Sequence, residues 1–283
     1  MTSSVKYVLL TAILVGVPLW AGAVEPGPRL VVGAGAHFSW FIFDRLKGEL
    51  EQAAGVTLEL HGEGSLLGVG CNAGIKTALK TVAEYDTFGF TCCPLSPQEI
   101  EEKQIVVHRL AYEPIMILVH WDNPVDNLSQ QQVRDIFSGA ITNWKEVGGE
   151  DKPILVVGRL HCKKRPGHWK TILKSTDEFA PRRINVKSAR DMARRIAEFP
   201  NAIGHIGSTW LFDRGQPIKV ISVDGRRPTA ASLRDRSYPF FRELSAVTRR
   251  NPPPTVKKII QHVKTTPTFS RLADEFGLLP INE

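Results

Sequence analysis

Four cysteines are the residues best suited to chemistry in this sequence of 283 residues. No two of them form a Cys-x-x-Cys motif, so their spacing does not identify one standard zinc or redox site. Three hypotheses stay open: structural disulfides, a site for a soft metal, metalloid or metal cofactor, and redox chemistry at an activated thiol. The four residues are Cys71, Cys92, Cys93 and Cys162.

Histidines and basic residues surround the last of these cysteines. Under the metal hypothesis the ligands are the four cysteines with His161, and His168 or His37 are further imidazole candidates. The basic run Lys163–Arg165 has two interpretations. Its side chains are solvated on the surface, or one or two of them face a bound anion. Under the redox hypothesis, the same positive charge would lower the pKa of a neighbouring thiol.

Alternating strands and helices must position these residues. Apolar runs predict strands at 29–33, 56–60, 87–90, 106–110, 115–120, 154–157, 184–186, 202–206 and 238–248. Helical spacing places Phe43, Leu46 and Leu50 on one face, and predicts further helices from 75, from about 168, over 189–199 and through 256–263. This βαβ alternation predicts an α/β fold with a mostly parallel sheet and helices on both faces.

The segment 128–149 carries the clearest local pattern. Ser129 is a good N-cap, and Gln132 three residues later completes a capping box. Gly139 stands where a left-handed C-terminal cap belongs. The buried face of the predicted helix consists of Val133, Ile136 and Phe137.

This segment also resembles a motif of the phosphate-binding proteins of ABC phosphate importers. The matching residues are Ile136–Gly139 and Ile141–Trp144, and Ala202–Ile206 is similar to an Ala-Ile-Gly-Tyr-Val strand of that family. Tyr238 with Pro239 resembles its return hinge, and Gly277–Pro280 its Gly-x-x-Pro ending. The resemblance covers nearly the whole chain. It implies the two-lobed type II periplasmic binding protein fold, with mixed sheets, helices on both faces and two hinge strands.

In the implied fold the ligand lies in the cleft between the lobes, beyond the carboxyl ends of strands and against helix N-termini. Four loops reach that cleft, at 33–37, 68–74, 91–94 and 161–168, and they contain all four cysteines. In the family such loops wrap an oxyanion with small residues, hydroxyls and backbone N–H groups. The expected ligand-binding residues are Gly35, Ala36, His37, Gly70, Cys71, Asn72, Cys92, Cys93, Arg159, His161, Cys162 and Lys163.

Two of these loops depart from the family pattern. The family's fourth loop reads Ser-Gly-Thr, where this chain has the basic segment 163–167. Its third loop usually contains serine and arginine, where this chain has Cys92 and Cys93. The resemblance therefore does not by itself imply ordinary phosphate binding. A disulfide from Cys162 to the first lobe would oppose hinge closure, so pairing of Cys71 with Cys92 or Cys93 is favoured under the disulfide hypothesis.

The N-terminus predicts a secretory signal peptide at residues 1–23. Lys6 precedes an uncharged, mostly apolar run over 7–20, and an Ala-x-Ala cleavage site follows. The run is shorter than the roughly 20 apolar residues of a transmembrane helix, and the distance to the first cysteine argues against a lipoprotein anchor. Cleavage lowers the net charge from +7 to +6. This positive excess fits an anionic ligand or an anionic surface.

These observations predict a periplasmic, secreted solute-binding protein that captures phosphate or a related oxyanion for an ABC importer. The expected lobes are 24–118 with 240–283, and 119–239. The expected partners are the small anion and the transporter permease. We expect a monomer without enzymatic activity, cofactor, nucleic-acid partner or stable membrane anchor. The alternative is a cysteine-lined soft-metal, metal-cofactor or redox-sensing protein on the same scaffold; a third hypothesis is an interaction module that has lost ligand binding.

Overall fold

The computed structural model of the chain describes residues 27–63, 70–162, 165, 167–210 and 215–281. The expected signal peptide at 1–23 and the candidate ligand Lys163 lie outside the described residues. Among the described helices, none has the length and apolar character needed to cross a bilayer.

In the described ranges eleven strands join in one mixed sheet. The strands are β1 (Arg29–Gly35), β2 (Val56–His61), β3 (Tyr85–Thr91), β4 (Ile105–His120), β5 (Asn127–Leu128), β6 (Leu155–Gly158), β7 (Ile184–Asn185), β8 (Ala202–Gly207), β9 (Ile218–Val223), β10 (Phe241–Arg249) and β11 (Leu279–Pro280). Their order is β2-β1-β3-β10-β4-β8-β6-β7, with β9 and β11 also pairing with β4, and β5 with β9. The outer strands pair in parallel, whereas β4 is antiparallel to each of its neighbours.

Nine helices pack on this sheet in the part of the chain that the structure describes. They are α1 (His37–Arg45), α2 (Lys47–Ala54), α3 (Cys71–Ala78), α4 (Pro97–Lys103), α5 (Gln130–Ser138), α6 (Ala189–Glu198), α7 (Ala230–Arg234), α8 (Pro254–Thr265) and α9 (Pro267–Phe276). The first lobe is built on β1, β2 and β3, and the second on β6, β7 and β8.

Strand β4 passes from one lobe to the other. Its first part pairs with β10 as far as Pro114, opposite Phe241, and its second part pairs with β8 from Ile115, opposite Gly207. The two strands predicted at 106–110 and 115–120 are therefore one strand of 16 residues. Glu113, which lies between the two predicted strands, is buried within this single strand.

The capped helix agrees closely with its prediction. Ser129 and Gln132 form both hydrogen bonds of the capping box, and Gly139 adopts a left-handed conformation with φ of 84°. The side chains of its apolar face are all buried. The residues of that face are Val133, Ile136 and Phe137.

Other helix predictions need correction. The first predicted helix is divided at Leu46 into α1 and α2, although its three apolar residues are buried as expected. The helix predicted from 75 begins at Cys71, because Gly70 provides an extended N-cap. The helix predicted from 168 is only a 3₁₀ turn, His168–Thr171. After α8, Pro267 starts α9, which the sequence analysis did not predict.

Candidate functional site

Three glycines bring the start of α3 against β1 and β3. Gly35 has a φ of 142°, which a residue with a side chain rarely adopts. A Cβ on Gly74 would lie 2.3 Å from the Phe90 carbonyl oxygen, and one on Gly89 would lie 2.0 Å from the Gly74 oxygen. The backbones therefore touch at this crossing, and Cys71, the first residue of α3, lies beside the end of β3.

The four cysteines form a buried thiol cluster, consisting of Cys71, Cys92, Cys93 and Cys162. Cys71 Sγ lies 3.8 Å from Cys92 Sγ, and the Cys92 N–H donates to Cys71 Sγ at 3.3 Å. The sulfurs of Cys71, Cys93 and Cys162 lie within 4.8 Å of one another. All four are free thiols, and 3.8 Å is far longer than the S–S bond of about 2.05 Å. The Cys71–Cys92 bridge expected under the disulfide hypothesis is therefore absent from the structure.

Within the thiol cluster, Cys71 accepts hydrogen bonds and the other three cysteines retain their protons. Hydrogen bonds from Cys162, Cys92 and Cys93 hold the pKa of Cys71 well below its ordinary value. The same hydrogen bond to Cys71 raises the pKa of Cys162 to about 11, and the pKa values of Cys92 and Cys93 are raised as well. Cys71 also benefits from its place at a helix N-terminus. The hydrogen bonds of the cluster therefore favour a negative charge on Cys71 and protons on the other three thiols.

From the second lobe, the described residues 159–162, 165 and 167–169 reach across to the first lobe, and they are called the segment 159–169 below. The Trp169 indole N–H donates to the His161 carbonyl at 2.7 Å and links the two ends of this segment. Arg165 forms a bidentate ion pair with Glu99 on α4, with N–O distances of 3.0 and 2.5 Å. The guanidinium of Arg165 is therefore neither solvated on the surface nor directed at a bound anion, because it is paired with a carboxylate.

His168 joins the thiol cluster to a buried arginine. Its Nε2 lies 3.2 Å from Cys92 Sγ, its Nδ1 contacts Arg242 Nη1, and its ring centroid lies 4.4 Å from that of His161. Burial, and then the positive charge of Arg242, hold the pKa of His168 well below its ordinary value.

Arg242 and Glu113 form a fully buried ion pair that the sequence analysis missed. Arg242 Nε donates to a Glu113 carboxylate oxygen at 2.5 Å, and the other oxygen accepts from the Thr209 N–H at 2.8 Å and from its hydroxyl at 2.5 Å. The guanidinium lies over the Phe38 ring, 3.7 Å from its centroid. Arg242 Nη2 is buried without a hydrogen-bond partner among the described residues. Charged residues within otherwise apolar strand sequences were the available signal for this pair.

A narrow cavity between the lobes is lined by both buried arginines. Arg159 is 9% exposed, and its Nε donates to the Lys187 carbonyl at 3.3 Å. The lining includes Phe38, Arg159, His161, His168, His205 and Arg242.

The histidines of this region are uncharged at neutral pH. Burial lowers the pKa of His37 to about 4, with further contributions from Arg242 and Arg159. Burial and then Arg159 lower the pKa values of His161 and His205 to about 3. The positive charge at the cavity therefore comes from its two arginines.

The structure brings half of the twelve expected ligand residues together. Arg159, His161 and the thiol cluster meet at one place, and His168, named only as a further imidazole, belongs there too. His37 is buried against the rings of Trp40 and Trp210, at centroid distances of 5.2 and 4.8 Å. The Ala36 N–H donates to Phe90 rather than facing the cavity.

The remaining expected residues play other roles or lie further out. Asn72 is exposed on α3. Gly35 provides the close backbone approach described above, and Gly70 is the N-cap of α3.

The sequence profile described as "PBP superfamily domain" matches residues 49–276 of this chain. Among curated relatives, the phosphate-binding protein PstS of Bacillus subtilis is 27% identical over 186 residues, which cover 65% of this chain and 60% of that protein. PstS of Borreliella burgdorferi is 27% identical over 201 residues, covering 66% of this chain and 70% of that protein. The match to the Bacillus protein thus spans less than two thirds of its length.

Solved structures show the same fold. A putative phosphate ABC transporter substrate-binding protein from Clostridium perfringens, with bound phosphate, superposes with a TM-score of 0.73 at 23% identity, covering 90% of this chain and all of that one. An ABC-type phosphate transport receptor from Vibrio cholerae gives a TM-score of 0.66 at 25% identity, covering 89% of this chain and all of that one. These likenesses confirm the expected two-lobed periplasmic binding protein fold.

Proposed function

The chain belongs to the PBP superfamily, and from that premise we propose that it is an exported solute-binding protein that captures phosphate or a related small oxyanion for an ABC importer. The resemblance to phosphate-binding proteins stated from the sequence is confirmed by the curated relatives. The similar structures from Clostridium perfringens and Vibrio cholerae are named as a transporter substrate-binding protein and a transport receptor, which supports a role in capture and delivery without catalysis. The partners under this proposal are the anion and a transporter permease, and the protein acts as a periplasmic monomer without a membrane anchor.

The observation that carries the anion proposal is the incomplete pairing of Arg242. Its Nε is satisfied by Glu113, but its Nη2 has no partner among the described residues although it is buried. A buried charged donor that lacks a partner is costly. An oxyanion in the cavity would accept from this nitrogen and relieve that cost.

Charge at the cavity supports the same conclusion. Arg159 and Arg242 contribute two positive charges, Glu113 contributes one negative charge, and the histidines are neutral. Apart from the neighbouring thiols, these groups leave one positive charge for a bound anion to balance. The planar guanidinium of arginine can also donate two parallel hydrogen bonds to an oxyanion, which the ammonium group of lysine cannot do.

The proposed lobes, 24–118 with 240–283 and 119–239, place this cavity between them. Support comes from the change of partners along β4 at Pro114 and from β10, which returns from the second lobe to the first. Hinge bending at these two strands would open and close the cavity around the anion.

Thermal unfolding in the presence of oxyanions tests the proposal. At 100 times its dissociation constant a ligand stabilises the native state by about 2.7 kcal/mol, so phosphate should raise the melting temperature by several degrees. Arg242→Gln should abolish that rise, whereas Arg271→Gln, on the distant helix α9, should keep it. No rise with phosphate, sulfate or arsenate, or an unchanged rise in Arg242→Gln, would contradict the proposal.

A further inference from the structure

Six soft-ligand atoms converge in one buried place. Three groups of ligand atoms each lie within 4.8 Å of one another, and each group shares a member with the next. The groups are Cys71 with Cys93 and Cys162, Cys92 with Cys93 and His168, and His161 with Cys162 and His168. Thiolate and imidazole are the ligands that zinc and copper(I) prefer, and hard cations such as magnesium and calcium avoid.

The measured separations are those of ligands around one small ion. A tetrahedral zinc with Zn–S of about 2.3 Å and Zn–N of about 2.05 Å sets two sulfurs about 3.8 Å apart and a sulfur and a nitrogen about 3.6 Å apart. Cys71 Sγ and Cys92 Sγ lie 3.8 Å apart, and Cys92 Sγ lies 3.2 Å from His168 Nε2. The atoms of the trio Cys71, Cys93 and Cys162 lie within 4.8 Å of one another, so they share one neighbourhood with these two pairs.

Backbone strain is concentrated at two of the ligand positions. Cys162 and His168 both have a φ of 53°, in the left-handed region that is unfavourable for a residue with a side chain. Both lie on the segment 159–169, and both direct their side chains into the cluster. Such strain persists where surrounding interactions impose it, and it is typical of functional sites. A cluster that served only as apolar packing would not require it.

Charge around the cluster suits an anionic metal–thiolate centre. A dication held by three thiolates carries a net charge of −1, and the guanidinium of Arg242 lies beside His168, which itself contacts Cys92. Cys71 lies at the N-terminus of α3, where a negative charge is favoured. The segment also approaches the other ligands closely, since a Cβ on Gly167 would lie 3.4 Å from Pro94.

From this geometry we propose that the chain binds one thiophilic metal ion, of the class of zinc(II) or copper(I), through the thiolates of Cys71, Cys93 and Cys162. Cys92 or His168 supplies the fourth ligand. Each coordinating cysteine gives up its thiol proton to solvent and forms one metal–sulfur bond, so three protons leave when neutral His168 is the fourth ligand and four when it is Cys92; no oxidation state changes. The ligands come from both lobes, so the bound ion would cross-link the segment 159–169 to the first lobe. This site goes beyond the proposed anion capture and does not depend on it.

Metal titration of the reduced full chain tests the site. Protein purified with reductant and stripped with chelator is titrated without oxygen with Co²⁺, which replaces zinc and absorbs strongly when bound by thiolates. We expect sulfur-to-cobalt charge-transfer bands that saturate at one equivalent and disappear on addition of Zn²⁺. A parallel titration with copper(I) against a chelator of known affinity distinguishes the two ions.

Single cysteine variants identify the ligands. Cys162→Ser and Cys93→Ser should each weaken binding by about 100-fold or more, because loss of even an outer partner of a ligand costs about 10- to 100-fold. His262→Gln, outside the cluster on α8, is the matched control and should bind as tightly as the native chain. Cys162 is only half-buried, so its variant should fold, and a melting curve without metal verifies this.

Three outcomes would overturn the metal site. They are absence of binding at one equivalent, unchanged affinity in Cys162→Ser, and a disulfide among these cysteines that persists under reductant. Phosphate-induced stabilisation measured on the same preparations remains a separate result. A variant that loses metal binding can therefore retain phosphate binding, and a variant that loses phosphate binding can retain metal binding.

Discussion

At the scale of single residues, the buried pair Arg242–Glu113 connects stability to the proposed anion capture. Both side chains are inaccessible to solvent, and Thr209 completes the hydrogen bonds of the carboxylate. Burying two charges costs solvation free energy, which their attraction and hydrogen bonds offset. The pair is therefore suited to hold a guanidinium rigidly beside the cavity.

Removing one partner of this pair should destabilise the protein strongly. Arg242→Met leaves the Glu113 carboxylate buried and uncompensated, and the expected loss of unfolding free energy is about 3–5 kcal/mol. The double variant Arg242→Met with Glu113→Leu should lose clearly less, because no charge remains buried. Urea unfolding measures both variants.

The control is Glu101→Gln, since Glu101 is paired with Arg250 on the surface, and it should unfold like the native chain. A double variant as unstable as Arg242→Met would show that charge burial is not the cause.

At the scale of elements, the close crossing of α3 with β1 and β3 places Cys71 against the end of β3. Gly74 and Gly89 leave no room for a side chain, because a Cβ at either position would press against backbone atoms. Backbone atoms cannot rotate away as a flexible side chain can. The position of the thiol cluster therefore depends on residues that have no functional groups of their own.

Adding one methyl group at this crossing should destabilise the fold and disturb the thiols. For Gly74→Ala we expect a loss of about 1–3 kcal/mol in unfolding free energy, the range for overpacked cores, and faster reaction of the cysteines with a thiol reagent. Gly48→Ala is the matched control, because Gly48 lies within α2 with nothing within 4 Å of its Cβ position. That variant should gain roughly 0.5–1 kcal/mol. Equal effects of the two substitutions would contradict this account.

At the scale of the whole molecule, one ion pair spans the two lobes beside the cavity. Arg165 belongs to the segment 159–169, and Glu99 belongs to α4 of the first lobe; their side chains are only 13% and 20% exposed. The hydrogen bond from Arg165 holds the pKa of Glu99 below its ordinary value. Under the proposed hinge motion, this pair would favour the closed arrangement of the lobes.

Breaking this pair should make opening easier. For Arg165→Gln we expect a larger radius of gyration of the ligand-free protein by small-angle X-ray scattering. Arg250→Gln is the matched control, because Arg250 pairs with Glu101 on the same helix but within the first lobe. Scattering curves that coincide for the native chain and both variants would show that the pair does not hold the lobes.

Buried histidines should make the whole fold sensitive to acid. Burial lowers the pKa of His37 and His108 to about 4 and that of His205 to about 3, from an ordinary value of 6.5. Above a pH of about 6.5 these histidines are neutral in both states, and the unfolding free energy is at its full value. Below that pH the histidines of the unfolded chain bind protons, whereas those of the folded chain do not, and the folded state becomes less stable. Between about 6.5 and 4 the unfolding free energy should fall by up to about 1.4 kcal/mol per pH unit for each such histidine.

Urea unfolding at several pH values between 7 and 4.5 measures this slope. His108→Gln should reduce it, since that histidine is removed while a hydrogen bond to Thr248 remains possible. The exposed His61 provides the control variant His61→Gln, which should leave the slope unchanged. A native chain whose stability does not fall in this pH interval would refute the prediction.

Local rules in the sequence determined much of the fold. Ser129, Gln132 and Gly139 set the ends of α5 because capping depends on neighbouring residues alone. The apolar periodicity similarly indicated most strands, and the motif at 136–144 indicated the family. The fold implied by the family resemblance also predicted that all four cysteines lie in loops at one cleft.

Only the tertiary structure decided which side chains meet. Glu113 and Arg242 are 129 residues apart in sequence, and nothing local indicated that each would neutralise the other. Likewise Arg165 pairs with Glu99 rather than with solvent, and His168 lies on a strained turn between a thiol and a guanidinium. Long-range pairing of charges and thiols depends on how the two lobes pack through β4 and β10. That packing is a property of the whole chain, which no short segment of sequence contains.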